Sequence, residues 1–360
     1  MNDAEAGRVI NEFKEANPNI LYFGKILGKG AYGQIRDVKL KDSQKIMAAK
    51  LIRKDDEDKL GEIQFVDLLK NPNIIKINQV LTKQVSYKTY YLIIMEKAML
   101  RDLGKLSEFY FGHNLLKLIN NEKSFDEQIG DNLLRFYAKQ IINAMKSLDD
   151  NYLVHFDIKP ENLLITIGLM IKLSDFGLLT KIKDKNEIRI PGGTQGFLTR
   201  EYYYYPKGKD KVSNEDAKKQ DYFSLGSTLF YLKYGEHMLK YQRMDNPILN
   251  ADRITQILDK KMSFIKSRSL TEKNFIDLII KLIQYDPEDR PNFEEIYRNK
   301  WLNENLDIIR ELFFCYENDE EKFIMELQKS DYLIKKKKDS NPKCKKFKFK
   351  KTNKEIIQIK

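Results

Sequence analysis

The residues with the clearest chemical potential lie in one ten-residue run near the middle of the chain. The run reads His155-Phe156-Asp157-Ile158-Lys159-Pro160-Glu161-Asn162-Leu163-Leu164. A carboxylate such as Asp157 can accept a proton, and the ammonium of Lys159 can offset negative charge that develops during a reaction. The amide oxygen of Asn162 is a ligand type that Mg²⁺ accepts. These residue types suit a reaction that moves a proton and develops negative charge beside a metal ion.

A second motif, Asp175-Phe176-Gly177, begins eleven residues after Leu164. The two motifs together resemble the catalytic loop and the Asp-Phe-Gly segment of eukaryotic protein kinases. The resemblance implies that Asp157 accepts the proton of the attacking hydroxyl or orients it, and that Lys159 neutralises charge on the γ-phosphoryl of ATP. It also implies that Asn162 and Asp175 hold Mg²⁺.

A glycine-rich run near the start of the chain is typical of a phosphate-binding loop. It reads Leu27-Gly28-Lys29-Gly30-Ala31-Tyr32-Gly33-Gln34-Ile35. Glycine permits a tight turn whose backbone N–H groups approach phosphate oxygens without a Cβ clash, although a plain hairpin turn is the alternative. Because residues 34–40 continue as a strand-like run, the sequence predicts a hairpin over phosphates rather than a Rossmann loop.

A lysine and a glutamate follow this run. Lys50 ends an apolar strand-like stretch, 22 residues after Gly28, and resembles the kinase lysine that contacts the α- and β-phosphates. A lysine that simply reaches solvent is the alternative. Glu62, at the start of a predicted helix over residues 62–69, resembles the carboxylate partner of that lysine, and its alternative is a solvated helix face. Only 12 positions separate the two residues, a short connection for the family.

The stretch Met95-Glu96-Lys97-Ala98 resembles the hinge that receives the adenine edge through its backbone, with Met95 as gatekeeper. Ordinary strand termination is the alternative interpretation. Besides all nine residues of the glycine-rich run, the resemblance assigns to the nucleotide site Ala48, Lys50, Met95, Glu96, Ala98, Leu164 and Asp175.

The element pattern predicts an α+β, bilobal protein-kinase fold. Residues 21–98 read as short strands around one helix and form the predicted small lobe, whereas residues 99–303 turn helical and form the larger lobe. Within the second lobe, residues 125–148 carry an amphipathic stripe. A polar extension at 1–20, a helical extension at 304–334 and a disordered Lys-rich tail at 335–360 complete the predicted organisation.

Three later motifs extend the resemblance towards the end of the second lobe. Residues 193–201 resemble the end of an activation segment, with Thr199-Arg200-Glu201 in place of Ala-Pro-Glu. Residues 221–226 resemble a buried helix start in which Phe223 replaces Trp, and residues 286–291 contain Arg290, which we expect to pair with Glu201. Residues 298–302 resemble the end of the kinase domain in the calcium/calmodulin-dependent group.

Two positions bear on substrate class and regulation. Lys159 and Thr194 resemble the Ser/Thr version of the family. Phe156 departs from it, because the Arg usual at that position pairs with an activation-loop phosphate and a Phe cannot. Between Asp175 and Glu201 the only hydroxyl side chains are those of Thr180, Thr194 and Thr199. We therefore expect activity without activation-loop phosphorylation.

Composition excludes several other classes. No run of about 18 apolar residues occurs, so no membrane span is expected. The acidic, polar residues 1–5 do not resemble a secretory signal. Cys315 and Cys344 are the only cysteines and form no CxxC pair, so neither a disulfide framework nor a zinc site is predicted. The expected compartment is the cytosol or nucleus.

The formal charge of +11 is concentrated at the C-terminus. Residues 335–360 hold 12 Lys against Asp339 and Glu355, which accounts for about +10 of it. This distribution argues against nucleic-acid binding by the body of the protein. A solvated tail is one interpretation, and an anionic membrane surface or a nuclear-import partner is the other.

The resemblance implies an ATP- and Mg²⁺-dependent kinase acting on Ser/Thr hydroxyls of protein substrates. The principal alternative is a pseudokinase, a kinase-fold scaffold that acts by docking, although Lys50, Asp157 and Asp175 are all retained. A lipid or small-molecule kinase of related fold is a second alternative, and a nucleic-acid-binding protein would explain only the tail.

Overall fold

The computed structural model describes residues 1–30, 33–54, 61–98, 102–105, 131–166, 170–182, 187–199, 211–234, 237, 270–284 and 286–304. Within those ranges, no helix is both long and apolar enough to cross a membrane.

The first lobe is built on a five-stranded antiparallel sheet with the order β1-β2-β3-β5-β4. Its strands are β1 (Ile20–Gly30), β2 (Gly33–Leu40), β3 (Met47–Arg53), β4 (Ile77–Val85) and β5 (Lys88–Met95). Side chains alternate between the two faces of a strand. Accordingly, Ala48 and Ile52 of β3 join the main core, whereas Ala49 and Leu51 join a separate cluster on the outer face. Lys50 therefore lies on the inner side.

The outer face of this sheet is covered by a helix, α1 (Asp3–Ala16), in the segment that we expected to be a polar extension. Its buried side chains are apolar and recur with helical spacing; they are Ala6, Val9, Ile10 and Phe13. Asn2 caps the helix by accepting a hydrogen bond from the Glu5 N–H at 2.8 Å. The 3–4 spacing is visible in the sequence, but the surface that makes it useful is not.

The predicted helix over residues 62–69 is shorter than expected. It consists of α2 (Gly61–Gln64) and a 3₁₀ turn (Val66–Leu68). Residues 55–60, which connect β3 to α2, lie outside the described residues.

The second lobe packs helices around one core. The longest are α3 (Asp131–Asp150) and α4 (Asn214–Tyr234), followed by α5 (Leu270–Leu282), α6 (Phe293–Tyr297) and a 3₁₀ turn (Trp301–Asn303). The predicted stripe of residues 125–148 is confirmed for α3, whose buried members include Leu133, Leu134, Tyr137, Ile141, Ile142 and Met145. Trp301 is fully buried, with the Arg135 guanidinium 4.9 Å from its ring centroid.

Within the described residues, the segment between α3 and α4 contains three short pairs of antiparallel strands. They are β6 (Leu153–Val154) with β9 (Thr180–Lys181), β7 (Leu163–Ile165) with β8 (Ile171–Leu173), and β10 (Glu187–Arg189) with β11 (Lys211–Ser213). Strands in the first lobe and mainly helices in the second confirm the α+β, bilobal fold. Residues 305–360, including both C-terminal segments proposed from the sequence, lie outside the described residues.

Candidate active site

The glycine-rich run forms a hairpin between β1 and β2, as predicted, with Gly28 opposite Ile35 and Gly30 opposite Gly33. A Cβ on Gly33 would lie 1.8 Å from the Leu51 carbonyl oxygen, so the close approach of β3 requires glycine there. A Cβ on Gly28 would meet nothing within 4 Å. The chain therefore leaves room beside Gly28, as a hairpin that approaches phosphate requires.

The other assigned residues of the hairpin divide between its faces. Lys29 and Gln34 turn their side chains towards α1, where both contact Asp3, so only their backbone is available to a nucleotide. Ile35 is half-buried against the main core, and Leu27 is exposed. Ala31 and Tyr32 lie outside the described residues.

Lys50 is at the centre of a buried ion cluster. Its Nζ lies 2.6 Å from Glu62 Oε1 and 2.8 Å from Asp175 Oδ1. The same Glu62 oxygen accepts the N–H of Phe176 at 2.9 Å. The expected pairing of Lys50 with Glu62 is thus present despite the short connection.

A residue that the sequence did not single out explains how so short a helix brings Glu62 into place. A Cβ on Gly61 would lie 2.6 Å from the carbonyl oxygens of both Phe176 and Leu179. Only glycine allows α2 to pack directly on the 3₁₀ turn Phe176–Leu178. Because α2 packs this closely, Glu62 contacts Lys50 without a longer helix.

The ion pairs of Lys50 with Glu62 and Asp175 determine which groups of this cluster carry a charge. Burial disfavours the ammonium of Lys50, but the carboxylates of Glu62 and Asp175 outweigh it and raise the pKa of Lys50. Burial likewise opposes charge on Asp175, yet Lys50 holds the pKa of Asp175 below its ordinary value. Both groups are charged at neutral pH.

The carboxylate of Asp157 is held by three donors. Its Oδ2 accepts from Lys159 Nζ at 2.8 Å and from Asn162 Nδ2 at 3.0 Å, and its Oδ1 accepts from Thr194 Oγ1 at 2.6 Å. Lys159 Nζ also donates to Thr194 Oγ1 at 2.5 Å. The catalytic loop and the activation segment therefore meet at one fixed carboxylate, and Thr194 touches both residues as the resemblance implied.

The backbone that presents Asp157 is fastened from α4. Asp221 accepts the N–H of His155 at 2.7 Å and the N–H of Phe156 at 2.9 Å. Burial raises the pKa of Asp221 to about 7, although both hydrogen bonds oppose the shift. Phe156 has a φ of 63°, a conformation unfavourable for non-glycine residues, and the two bonds to Asp221 help to hold it.

His155 supports the same loop from beneath. Its Nδ1 accepts the Asp157 N–H at 3.2 Å, and its Nε2 lies 3.1 Å from the Ser174 carbonyl oxygen. These contacts assign the proton to Nε2. Burial lowers the pKa of His155, so the imidazole is neutral.

The predicted hinge follows β5 and connects to both lobes. Met95 is buried opposite Ala48, which is also buried. Glu96 Oε1 lies 2.8 Å from Lys172 Nζ on β8, and its N–H donates to the Lys76 carbonyl. Ala98 is half-buried, and Leu164 is half-buried on β7, facing the main core.

Two side chains present oxygen ligands suited to Mg²⁺. Asn162 donates through its Nδ2 to Asp157, which turns its amide oxygen away from that residue. Asp175 uses Oδ1 for Lys50, and its side chain is 36% exposed. The described part of the chain contains no group of three His, Cys, Asp or Glu able to hold a metal. A Mg²⁺ ion would thus complete its shell with phosphate oxygens and water, as Mg²⁺ does beside nucleotides.

An apolar cluster lies directly behind the catalytic loop. Phe156, 2% exposed, packs with residues of β6, β10, β11 and α4; the cluster comprises Val154, Phe156, Leu178, Ile182, Ile188, Ile190, Val212 and Ala217. It joins β6 to β10, within the activation segment, and to β11, after that segment. We call it the Phe156 cluster.

The predicted pair of Arg290 and Glu201 cannot be located, because Glu201 lies outside the described residues. Arg290 is buried, donates to the carbonyl oxygens of Gln284 and Lys219, and lies 5.2 Å from the ring centroid of Phe223. Phe223 therefore packs against the buried Arg290 and has a structural role.

A bilobal fold, a glycine-rich hairpin, a buried Lys–Glu pair and a clamped Asp in a polar loop define the class of the protein as a kinase. The family model "Protein kinase domain" matches residues 21–302. The chain belongs to this family, among the eukaryotic Ser/Thr protein kinases.

Curated relatives agree with this assignment. An Aurora kinase of Schizosaccharomyces pombe is 27% identical over 298 residues, covering 81% of this chain and 74% of the relative. An Aurora kinase of Saccharomyces cerevisiae is 27% identical over 305 residues, covering 82% and 72%. The human serine/threonine-protein kinase MRCK alpha is 25% identical over 266 residues, covering 72% of this chain but 14% of the relative. Membership of the calcium/calmodulin-dependent group stays a prediction.

Proposed function

We propose that this protein is an active kinase that transfers the γ-phosphoryl of ATP to Ser and Thr hydroxyls of proteins. The observation that carries the proposal is a pair of charge clusters, one around Lys50 and the other around Asp157. Lys50 bridges Glu62 and Asp175, and Asp157 is held by Lys159 and Thr194. The presence of both clusters supports phosphoryl transfer over a pseudokinase that acts only by docking.

Each group has a defined task in the proposed reaction. Lys50, positioned by Glu62, binds and orients the α- and β-phosphates from the inner face of the sheet. Asp157 orients the acceptor hydroxyl and takes its proton as the new oxygen–phosphorus bond forms. The bond between the γ-phosphorus and the β–γ bridging oxygen breaks in the same step, and ADP leaves with that oxygen. Lys159 offsets negative charge on the transferred group. When bound by Asn162 and Asp175, Mg²⁺ supplies charge neutralisation for the phosphates.

The preference for Ser and Thr acceptors is supported by Thr194. Its hydroxyl accepts from Lys159 and donates to Asp157, which keeps the ammonium close to the proton-accepting carboxylate. This arrangement matches the Ser/Thr version of the catalytic loop implied by the sequence.

The test of the proposal is transfer of radiolabel from ATP to a generic basic protein. We expect Mg²⁺-dependent label on Ser and Thr, and a loss of about 10²- to 10⁴-fold with Asp157→Asn. Asp150→Asn is the matched control, because Asp150 is exposed at the end of α3 and pairs only with Lys146 among the described side chains. Folded wild type that transfers no label with any divalent metal would support the pseudokinase instead.

We also propose that the activation segment needs no phosphorylation. Where a phosphate-binding Arg is usual, Phe156 packs into an apolar cluster that holds β10 against β11 and α4. Burial of apolar side chains then supplies the ordering that a phosphate would otherwise supply. Treatment with a phosphatase should leave the rate unchanged. A large loss that autophosphorylation restores would contradict this part of the proposal.

The basic C-terminal segment supports a proposal about location. A charge of about +10 in residues 335–360 attracts anionic surfaces in a salt-dependent manner. We propose that the protein acts in the cytosol or nucleus and that this tail contacts an anionic membrane or a nuclear-import partner. Sedimentation with vesicles containing phosphatidylserine at low and high salt, with and without residues 335–360, separates the first of these from the second.

A further inference from the structure

Helix α1 makes a set of contacts that neither the catalytic clusters nor the family resemblance explains. It crosses the outer face of the sheet, with its buried side chains on Val38, Leu51 and Leu92 in one apolar cluster. The cleft that holds Lys50 lies on the opposite face of the same sheet. The helix is thus placed to influence the site without touching it.

Two glutamates of α1, Glu5 in its first turn and Glu12 in its C-terminal half, bind strands of the sheet away from the turn of the hairpin. Glu5 Oε1 accepts from the Tyr90 hydroxyl at 2.7 Å and from Arg53 Nη1 at 3.2 Å. Lys83 Nζ lies 3.0 Å from Glu12 Oε2. These contacts anchor α1 to β3, β4 and β5, including the strand that carries Lys50.

The N-terminal end of α1 contacts the glycine-rich hairpin. Asp3 Oδ2 lies 2.7 Å from Lys29 Nζ, and Asp3 Oδ1 accepts from Gln34 Nε2 at 3.3 Å. Gln34 is itself buried, and its Oε1 accepts from Arg36 Nε at 2.6 Å. One carboxylate therefore joins both strands of the hairpin, close to the turn.

We infer that Asp3 is a positioning residue for ATP binding: through α1 it couples the glycine-rich hairpin to the strand that carries Lys50. A hairpin of glycines is conformationally free, and ordering it on nucleotide binding costs free energy. A carboxylate that holds Lys29 and Gln34 on the outer face removes part of that freedom in advance. This inference rests on the proposed function, because it concerns the affinity of the same site for ATP.

The size of the effect follows from exposure. Lys29 and Asp3 are both largely solvent-exposed, so their ion pair is a weak one. We expect Asp3→Asn to raise KM for ATP by about two- to five-fold with kcat unchanged, because the hairpin binds the nucleotide and takes no part in proton transfer. The double variant Asp3→Asn/Lys29→Met should raise KM by less than the product of the two single effects, because both substitutions remove the same ion pair.

The experiment uses the full chain and a matched control on the same helix. Glu12→Gln removes a less exposed α1 ion pair, to Lys83 on β4, far from the hairpin in sequence and sheet order. KM, kcat and thermal stability are measured for both variants. A raised KM in Asp3→Asn alone supports the inference, and an unchanged or lowered KM overturns it while leaving the proposed function in place.

A second measurement keeps the inference separate from the proposed function. Amide hydrogen exchange of residues 24–36 needs no nucleotide. If the wild type binds no MgATP, the proposed function fails, and exchange alone decides the positioning role. Exchange several-fold faster in Asp3→Asn than in Glu12→Gln supports coupling of α1 to the hairpin, and equal exchange in the two overturns it.

Discussion

Two adjacent residues, Phe156 and Asp157, enter opposite environments. Asp157 faces charged and hydroxyl donors from Lys159 and Thr194, whereas Phe156 is buried among aliphatic side chains behind the loop. The first environment is directional, with contacts of 2.6–3.0 Å. The second is non-directional and depends on area removed from water.

The difference shows that polar contacts and apolar packing have separate roles around this one loop. Polar contacts fix the position of the Asp157 carboxylate, because hydrogen bonds to charged groups are geometrically demanding. Apolar packing fixes the position of the activation segment, where shape matters more than direction. Asp221 links the two, since it holds the backbone of Phe156 immediately before the catalytic carboxylate.

The largest expected effect comes from truncating Phe156, the residue with the apolar environment. Phe156→Ala should lower the free energy of unfolding by about 3–5 kcal/mol, because it leaves a cavity in the Phe156 cluster. Chemical denaturation measures it. Tyr152→Ala is the matched control, since Tyr152 also has a positive φ but is 46% exposed. Equal losses in the two variants would show that the cluster carries no special share of stability.

Substitutions in the polar environment of Asp157 should change the rate of the reaction rather than the stability of the fold. Thr194→Val keeps the shape of the side chain but removes the hydroxyl between Asp157 and Lys159, and we expect kcat to fall about 10- to 100-fold. Thr194→Ser should retain most activity because it keeps the oxygen. Steady-state kinetics and thermal unfolding are compared; a Val variant that loses stability but not kcat contradicts the division of roles.

The third effect concerns Asp221, which links the two environments, and it depends on pH. The pKa of Asp221 is raised to about 7, above its ordinary value, so the folded state binds this proton more tightly than the unfolded chain. Its contribution to stability is therefore full at low pH and is lost as pH rises to 7, by at most about 1.4 kcal/mol per pH unit. Above pH 7 the contribution stays constant.

Asp221→Asn isolates this contribution. His155 has a lowered pKa, and it acts in the opposite sense, because its contribution is lost as pH falls below its ordinary value. Urea denaturation of wild type and Asp221→Asn at pH 5, 6, 7 and 8 subtracts that background. The difference between the two proteins should shrink between pH 5 and 7 and then stay flat; a difference that is constant throughout would place the ionisation of Asp221 well below pH 5.

Several features of the fold and site could be predicted because they are local in sequence. The hairpin of residues 27–35, the stripe of α3 and the short motifs at residues 155–164 and 175–177 each depend on residue type and short spacing. Alternation and helical periodicity are properties of a few consecutive residues, so the sequence alone determined them.

Other features depend on residues that are distant in the chain, and only the tertiary structure decided them. Helix α1 is amphipathic in sequence, but its role comes from the sheet face and the hairpin that it meets. Gly61 is unremarkable until the carbonyls of Phe176 and Leu179 lie 2.6 Å from its missing Cβ. In the sequence, Phe156 is only a departure from the usual Arg, and the structure shows that it is buried in an apolar cluster. The physical reason is shared: burial and close approach are set by which distant surfaces pack together, and residue type alone does not specify the partner.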